Sequence, residues 1–375
     1  MKASFALLIA SLFLALNSFS QSLTIATGAQ QELVLNGSSC ETLFKERQAL
    51  CTWKQSLEPD FVAPPQNQTS CKASPDGSFS LKVLNCLPYF AQTYTKKKLV
   101  RHGPNCWGTA MSFHGLSKKP RFLWPEEMHY WMDSPVCRKL AVGEALEAGD
   151  VINVYYPEYV SEPGTSQKTA GTNFWQALYP ARFTPLEEPT QRGYTGYDAL
   201  LHSVTYISSQ LAYGKDSPNK DDRFYFHSLN QVYGRPRDKE CQENPLITPY
   251  LREYQQTPKG LRNSACRYFS LAYRCGNIPS YLAKQNLSIE EQAIQKRVAV
   301  LEQAQAALFP LILNLQTKVL PGEAKSIAAM AARTIEQDLI ELKKPGVDKN
   351  LEMLLTLEYF TAAGLIKTLQ QAEML

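Results

Sequence analysis

Cys106 stands in the stretch RHGPNCWGTAMSF, residues 101–113, directly after a Pro-Asn pair and directly before a run with helical character. A thiol attacks as the thiolate, and its ordinary pKa of about 8.5 has to fall for work near neutrality. A helix N-terminus favours such an anion; Pro104 and Asn105 suit a helix start, Asn being a good N-cap. In CWGTAMSF, the side chains of Trp107, Ala110, Met111 and Phe113 are placed to pack inward. Gly108, which costs a helix about 1 kcal/mol, would let the backbone approach a sheet closely. The competing reading makes Cys106 one more half-cystine at a turn.

A nucleophilic sulfur needs a base, and the chain has five histidines. His102 lies in the turn before the cysteine, and His114 at the far end of the same short helix, pointing away. His129, in EEMHYWMD, sits in an aromatic patch that suits packing. His202 opens the β-rich run of LLHSVTYIS, and His227 lies within FYFHS. A cysteine-bearing helix, then the strand of LEAGDVINVYY, then a strand that starts with histidine is the order a papain-like core requires.

The elements that must position these groups can be read from period and punctuation. VINVYY (151–156), HSVTYIS (202–208) and RFYFHSL (223–229) read as strands, with a Gly, Pro, Thr and Ser-rich insertion between the first two, 157–200. Residues 21–84 carry cysteines and turn signals such as SPDGS, and read as a loop-rich, disulfide-stapled region. From 286 onwards three amphipathic helices are expected. The first opens on Ser288 and Glu291 in capping-box spacing, the second on Pro321, and the third begins after Pro345-Gly346. The predicted organisation is a signal peptide over 1–20, the stapled region 21–84, a hydrolase domain 85–285 and the helical region 286–375. The fold class is α+β: a cysteine-bearing helix on a small antiparallel sheet bearing histidine, with a C-terminal helical appendage that is a candidate docking element for a protein partner.

NCWGTA (105–110), LEAGDVINVYY (146–156) and HSVTYIS (202–208), in that order, resemble the NlpC-type cell-wall cysteine peptidases, papain-like enzymes that cut peptidoglycan stem peptides. The resemblance spans about 140 residues and implies Cys106 as nucleophile and His202 as general base. The family's third member is a polar residue on the following strand that orients the imidazole. In LAYGKDSP the matching spacing falls on Gly214, so Asp216, two residues on and on the same strand face, is the expected orienter, with His227 in reserve. Trp107 departs from the family's small residue after the cysteine, and the 157–200 insertion is longer than the family's connection. The implied substrate is a peptidoglycan peptide. A papain-like amidase or acyltransferase on another substrate, or a non-catalytic stapled binding protein, are the alternatives.

Compartment bears on all of this. Lys2, an apolar run from Phe5 to Leu16 and the small residues before Gln21 read as a secretory signal, which predicts a secreted or periplasmic chain. No run approaches the 18 or so apolar residues of a membrane span. The net charge of +4 is too mild to suggest nucleic acid. Nine cysteines in an exported chain suggest disulfides, and the odd number leaves one thiol over. Nearness pairs 40 with 51, 71 with 86 and 266 with 275, leaving 137 for 241. No Cys-x-x-Cys spacing suggests zinc, and no metal or cofactor is expected.

Overall fold

The structure, a computed structural model, describes residues 33–66, 69–95, 97, 99–141, 144–155, 200–209, 211–228, 269–314 and 321–374. The signal segment, all of the insertion except Leu200, and Cys241 and Cys266 lie outside them. The chain divides into two compact units, residues 1–92 and 93–375.

The first unit is more ordered than a stapled leader. Strands β1 (Val34–Gly37), β2 (Cys71–Ala73) and β3 (Phe79–Lys82) form an antiparallel sheet in the order β1-β3-β2. The long helix α1 (Cys40–Leu57) starts at the N-cap Ser39, whose hydroxyl accepts from the Thr42 amide. Leu35, Leu43, Leu50 and Leu81 are buried together as a small core. Cys40 bridges to Cys71 and Cys51 to Cys86, which ties both ends of α1 down. The expected 40–51 and 71–86 pairs are therefore wrong: one helix spaces Cys40 and Cys51 three turns apart, beyond the reach of a cystine.

The second unit is α+β. A short helix, α2 (Tyr89–Tyr94), runs across the division at residue 92, and α3 (Cys106–Ser112) and α4 (Pro125–Met132) follow. Six antiparallel strands follow: β4 (Cys137–Lys139), β5 (Val151–Tyr155), β6 (Leu200–Ser208), β7 (Leu211–Gly214), β8 (Tyr225–Ser228) and β9 (Phe269–Cys275). They lie in the order β4-β9-β5-β6-β7-β8. Cys137 and Cys275, directly opposite in the β4–β9 register, form a disulfide, so neither expected pairing for them holds. That bond depends on strand neighbours far apart in sequence, which spacing cannot reveal.

One face of the sheet, with Val151 and Tyr273, packs on Ala110 and Met111 of α3 and on Trp131 of α4. The other buries Ile152, Val204, Ala212 and Ala272 under Leu140. The C-terminal helices follow the short α5 (Ile278–Ala283): α6 (Ile289–Leu313), α7 (Pro321–Leu342) and α8 (Lys349–Gln371). The capping box at Ser288 and Glu291 forms as expected, each backbone amide donating to the other's side chain. Val298, Met353 and Phe360 join the sheet's core, while Leu301, Leu365 and Leu369 form a second one with Ala324 and Ala331. α8 is buried on most of its circumference rather than along one stripe, because α6 and α7 both pack on it.

Inside this bundle Arg297 of α6 pairs through two nitrogens with the buried Glu358 of α8, at 2.6 and 2.7 Å. Asp338 of α7 lies beside Glu358, and burial together with that neighbouring carboxylate raises its pKa to about 9. An unfolded-chain aspartate titrates near 4, so between those limits the native state holds a proton that the unfolded state has released. The contribution to stability is full below about pH 4 and is lost as the pH rises through about 9. Asp338→Asn keeps a donor for Glu358 and removes this titration. The thermal midpoint of the wild type is expected to drop more steeply than the variant's from neutral to alkaline pH. Parallel pH profiles would show that Asp338 is already ionised in the bundle.

Candidate active site

Asn105 sets the start of α3. Its backbone is extended, its side-chain oxygen accepts from the Gly108 amide at 3.1 Å, and the chain becomes helical at Cys106. The same side chain reaches across to the next segment, accepting from Leu123 N at 3.1 Å and donating to Leu123 O at 2.8 Å. Gly108 permits a close approach, though to a loop rather than to a sheet. A Cβ there would lie 1.7 Å from the carbonyl oxygen of Arg121. Arg121 is itself buried in a two-pronged pair with Glu127. The helix is thus wedged in place from its first turn.

The segment leading into Cys106 is fixed from the C-terminal helices and from the loop after β7. Val100 N donates to Ile312 O at 2.8 Å, Arg101 donates to Leu311 O, and Gln371 Nε2 donates to Gly103 O at 3.0 Å. Gly103 N donates to Pro218 O at 2.8 Å. The C-terminal region therefore buttresses the cysteine's own loop.

Cys106 is unbridged, and it is buried, 4% exposed. Its sulfur lies against the backbone N–H of Ser203 in β6, with the amides of Trp107 and Cys106 also directed at it. Those N–H groups favour a thiolate, but burial outweighs them and the thiol is pushed up to about 12. The expected lowering by a helix start is overridden because the sulfur is buried.

His202 is the residue before Ser203 and pairs with Val154 of β5, just where an irregularity shifts the β5–β6 register. Its Nε2 is 3.9 Å from Oδ1 of Asp216, beyond hydrogen-bond reach but within that of an ion pair once the ring is protonated. Asp216 is mostly exposed and also accepts from the Tyr225 hydroxyl; its charge is felt at Cys106 as well. Strand alternation puts Ser203 and Thr205 toward α3, and Val204 and Tyr206 toward the other face. The sulfur at the Ser203 amide and the ring one residue before it thus share one end of β6, with Asp216 in electrostatic reach of both.

The remaining histidines have other places. His102 is exposed, and the backbone of His227 pairs with Ala212. His114 is buried, and burial lowers it to about 4, so it stays neutral. His129 is buried on α4. Asp150 accepts from Glu147 N and from Arg274 at 3.0 and 2.9 Å, a turn-holding role that fits the strand entry. Sequence reasoning missed Lys215, which is fully buried beside Asp216. Nothing in the pattern LAYGKDSP distinguishes it from a surface lysine. Among the described residues no cluster of His, Cys, Asp and Glu suits a metal ion.

Comparison with protein-family models, with curated proteins and with solved structures finds no match in any of the three.

Asn105→Ala removes the cap and orphans both buried backbone groups of Leu123, an expected loss of about 3 kcal/mol in urea unfolding. A loss below about 0.5 kcal/mol would mean that α3 does not depend on this residue for its position.

Proposed function

We propose that the chain is an exported cysteine hydrolase with a papain-like core, acting on an amide bond of cell-wall peptide. One observation carries the reading: the unbridged thiol and the His202–Asp216 pair occupy the same strand end, while the other cysteines among the described residues form disulfides. The disulfides suit an oxidising compartment, and no described helix is long and apolar enough to cross a membrane.

In this mechanism the Cys106 thiol rests protonated. His202 takes the S–H proton as the sulfur attacks the amide carbonyl carbon, and Asp216 stabilises the imidazolium that results. The tetrahedral oxyanion collapses as the C–N bond breaks, and the imidazolium delivers its proton to the leaving amine. Water, deprotonated by the same ring, then hydrolyses the thioester and restores the thiol. The backbone amide of Cys106 is the candidate oxyanion donor, a contribution of about 3 kcal/mol for each such group. Amide hydrolysis or acyl transfer on another substrate would use the same steps.

A second reading has one observation in its favour. Cys106 is buried within the range of the core residues, which suits a disulfide-stapled binding protein whose C-terminal helices dock a partner. Digestion of purified sacculi separates the readings. The wild type is expected to release stem-peptide fragments, Cys106→Ala to release none, and His202→Ala to lose about 100-fold or more in rate. Asp216→Asn should lose less, since it acts through the ring. Fragment release undiminished in Cys106→Ala would overturn the thiol mechanism.

A further inference from the structure

A turn of two residues is enough to join antiparallel neighbours. β7 and β8 pair directly, from Leu211 with Ser228 to Gly214 with Tyr225, yet residues 215–224 connect them. That segment is wound around one side chain. Lys215 is fully buried, and its Nζ donates to Ser217 O and, at 2.8 Å, to Asn219 O. Ser217 Oγ accepts from Asn219 N at 3.0 Å and donates to Asp222. Asp222 N in turn donates to Asn219 O at 3.2 Å, and Asp221 N to Asn219 Oδ1 at 3.1 Å. Asp222 is also the carboxylate that most favours the charged lysine. A buried ammonium without acceptors is costly, so the lysine and the loop hold each other in place.

Two parts of the candidate site hang from this loop. Asp216 directly follows Lys215 but is mostly exposed, with Oδ1 at 3.9 Å from His202 Nε2. Pro218, between the two residues whose carbonyls hold the ammonium, accepts from Gly103 N at 2.8 Å, three residues ahead of Cys106. One wound loop therefore meets the segments of both the imidazole's partner and the thiol.

We infer that Lys215 is a positioning residue: by gathering the β7–β8 loop around its ammonium, it sets Asp216 against His202 and anchors the segment ahead of Cys106. This rests on the hydrolase reading. Lys215 touches no substrate and exchanges no proton in the mechanism; it acts through Asp216 and Gly103.

Lys215→Met tests the idea, because methionine fills similar space and offers neither charge nor donor. The readout is the titration midpoint of His202, followed by NMR of its ring C–H proton and assigned by its loss in His202→Ala, which needs no substrate. A carboxylate beside an imidazole raises its pKa, so Asp216→Asn is expected to lower the midpoint by about half a pKa unit, a modest shift because Asp216 is mostly exposed. Lys215→Met is expected to lower it as far, and to add nothing on top of Asp216→Asn. The sign is diagnostic, since removing a cation without moving Asp216 would raise the midpoint. An unchanged or raised midpoint in Lys215→Met, or the same fall with and without Asp216, would overturn the inference. Should Lys215→Met fail to fold, Ser217→Ala, which removes the hydroxyl joining Asn219 to Asp222, is read in the same way. In the sacculus digest Lys215→Met should lose rate by about the factor that Asp216→Asn does. A lowered midpoint in a protein that releases no fragments would sink the hydrolase reading alone; fragment release with an unmoved midpoint would sink this inference alone.

Discussion

Desolvation of the Cys106 sulfur is the constraint on which the proposed chemistry depends. Backbone amides from β6 and α3 surround the sulfur, yet burial raises its pKa to about 12. A thiol in that state rests protonated. The amides of Ser203, Trp107 and Cys106 favour its ionised form, while burial and the carboxylate of Asp216 oppose it.

Holding a sulfur so tightly requires a rigid frame. α3 is only two turns long, and its position is fixed by Asn105 on Leu123 and by Gly108 against the Arg121 carbonyl. Arg121 in turn lies under α8, where a side chain at Gly364 would meet its Cδ at 2.7 Å. Its pairing with Glu127 is fully buried, and removing either partner would leave a charge with no answer, at a cost of about 3–5 kcal/mol. The C-terminal helices also grip Val100, Arg101 and Gly103. They share a core with the sheet and serve as its buttress.

Local chemistry was readable in the sequence; distant neighbours were not. Asn105 as cap, the Ser288–Glu291 box, Pro321 at the start of α7 and the strands around Val151 and His202 all follow from residue type and short spacing. The disulfides do not, because Cys137 meets Cys275 only after β9 inserts between β4 and β5. The first unit's helix was hidden for a related reason. α1 carries charged residues on much of its surface, and its few apolar positions gain meaning only against β1 and β3. Burial of Lys215 is likewise a tertiary fact. The order of cysteine, strand and histidine was legible, and that Cys106 and His202 meet at one end of β6 needed the register.

The most direct measurement of the central claim is site-resolved alkylation of the non-reduced native protein by iodoacetamide near neutral pH, compared between wild type and His202→Ala. On this account Cys106 is modified while folded, and more slowly when the imidazole is gone. A Cys106 that stays unmodified until the chain unfolds, or that reacts equally fast in both proteins, would contradict it.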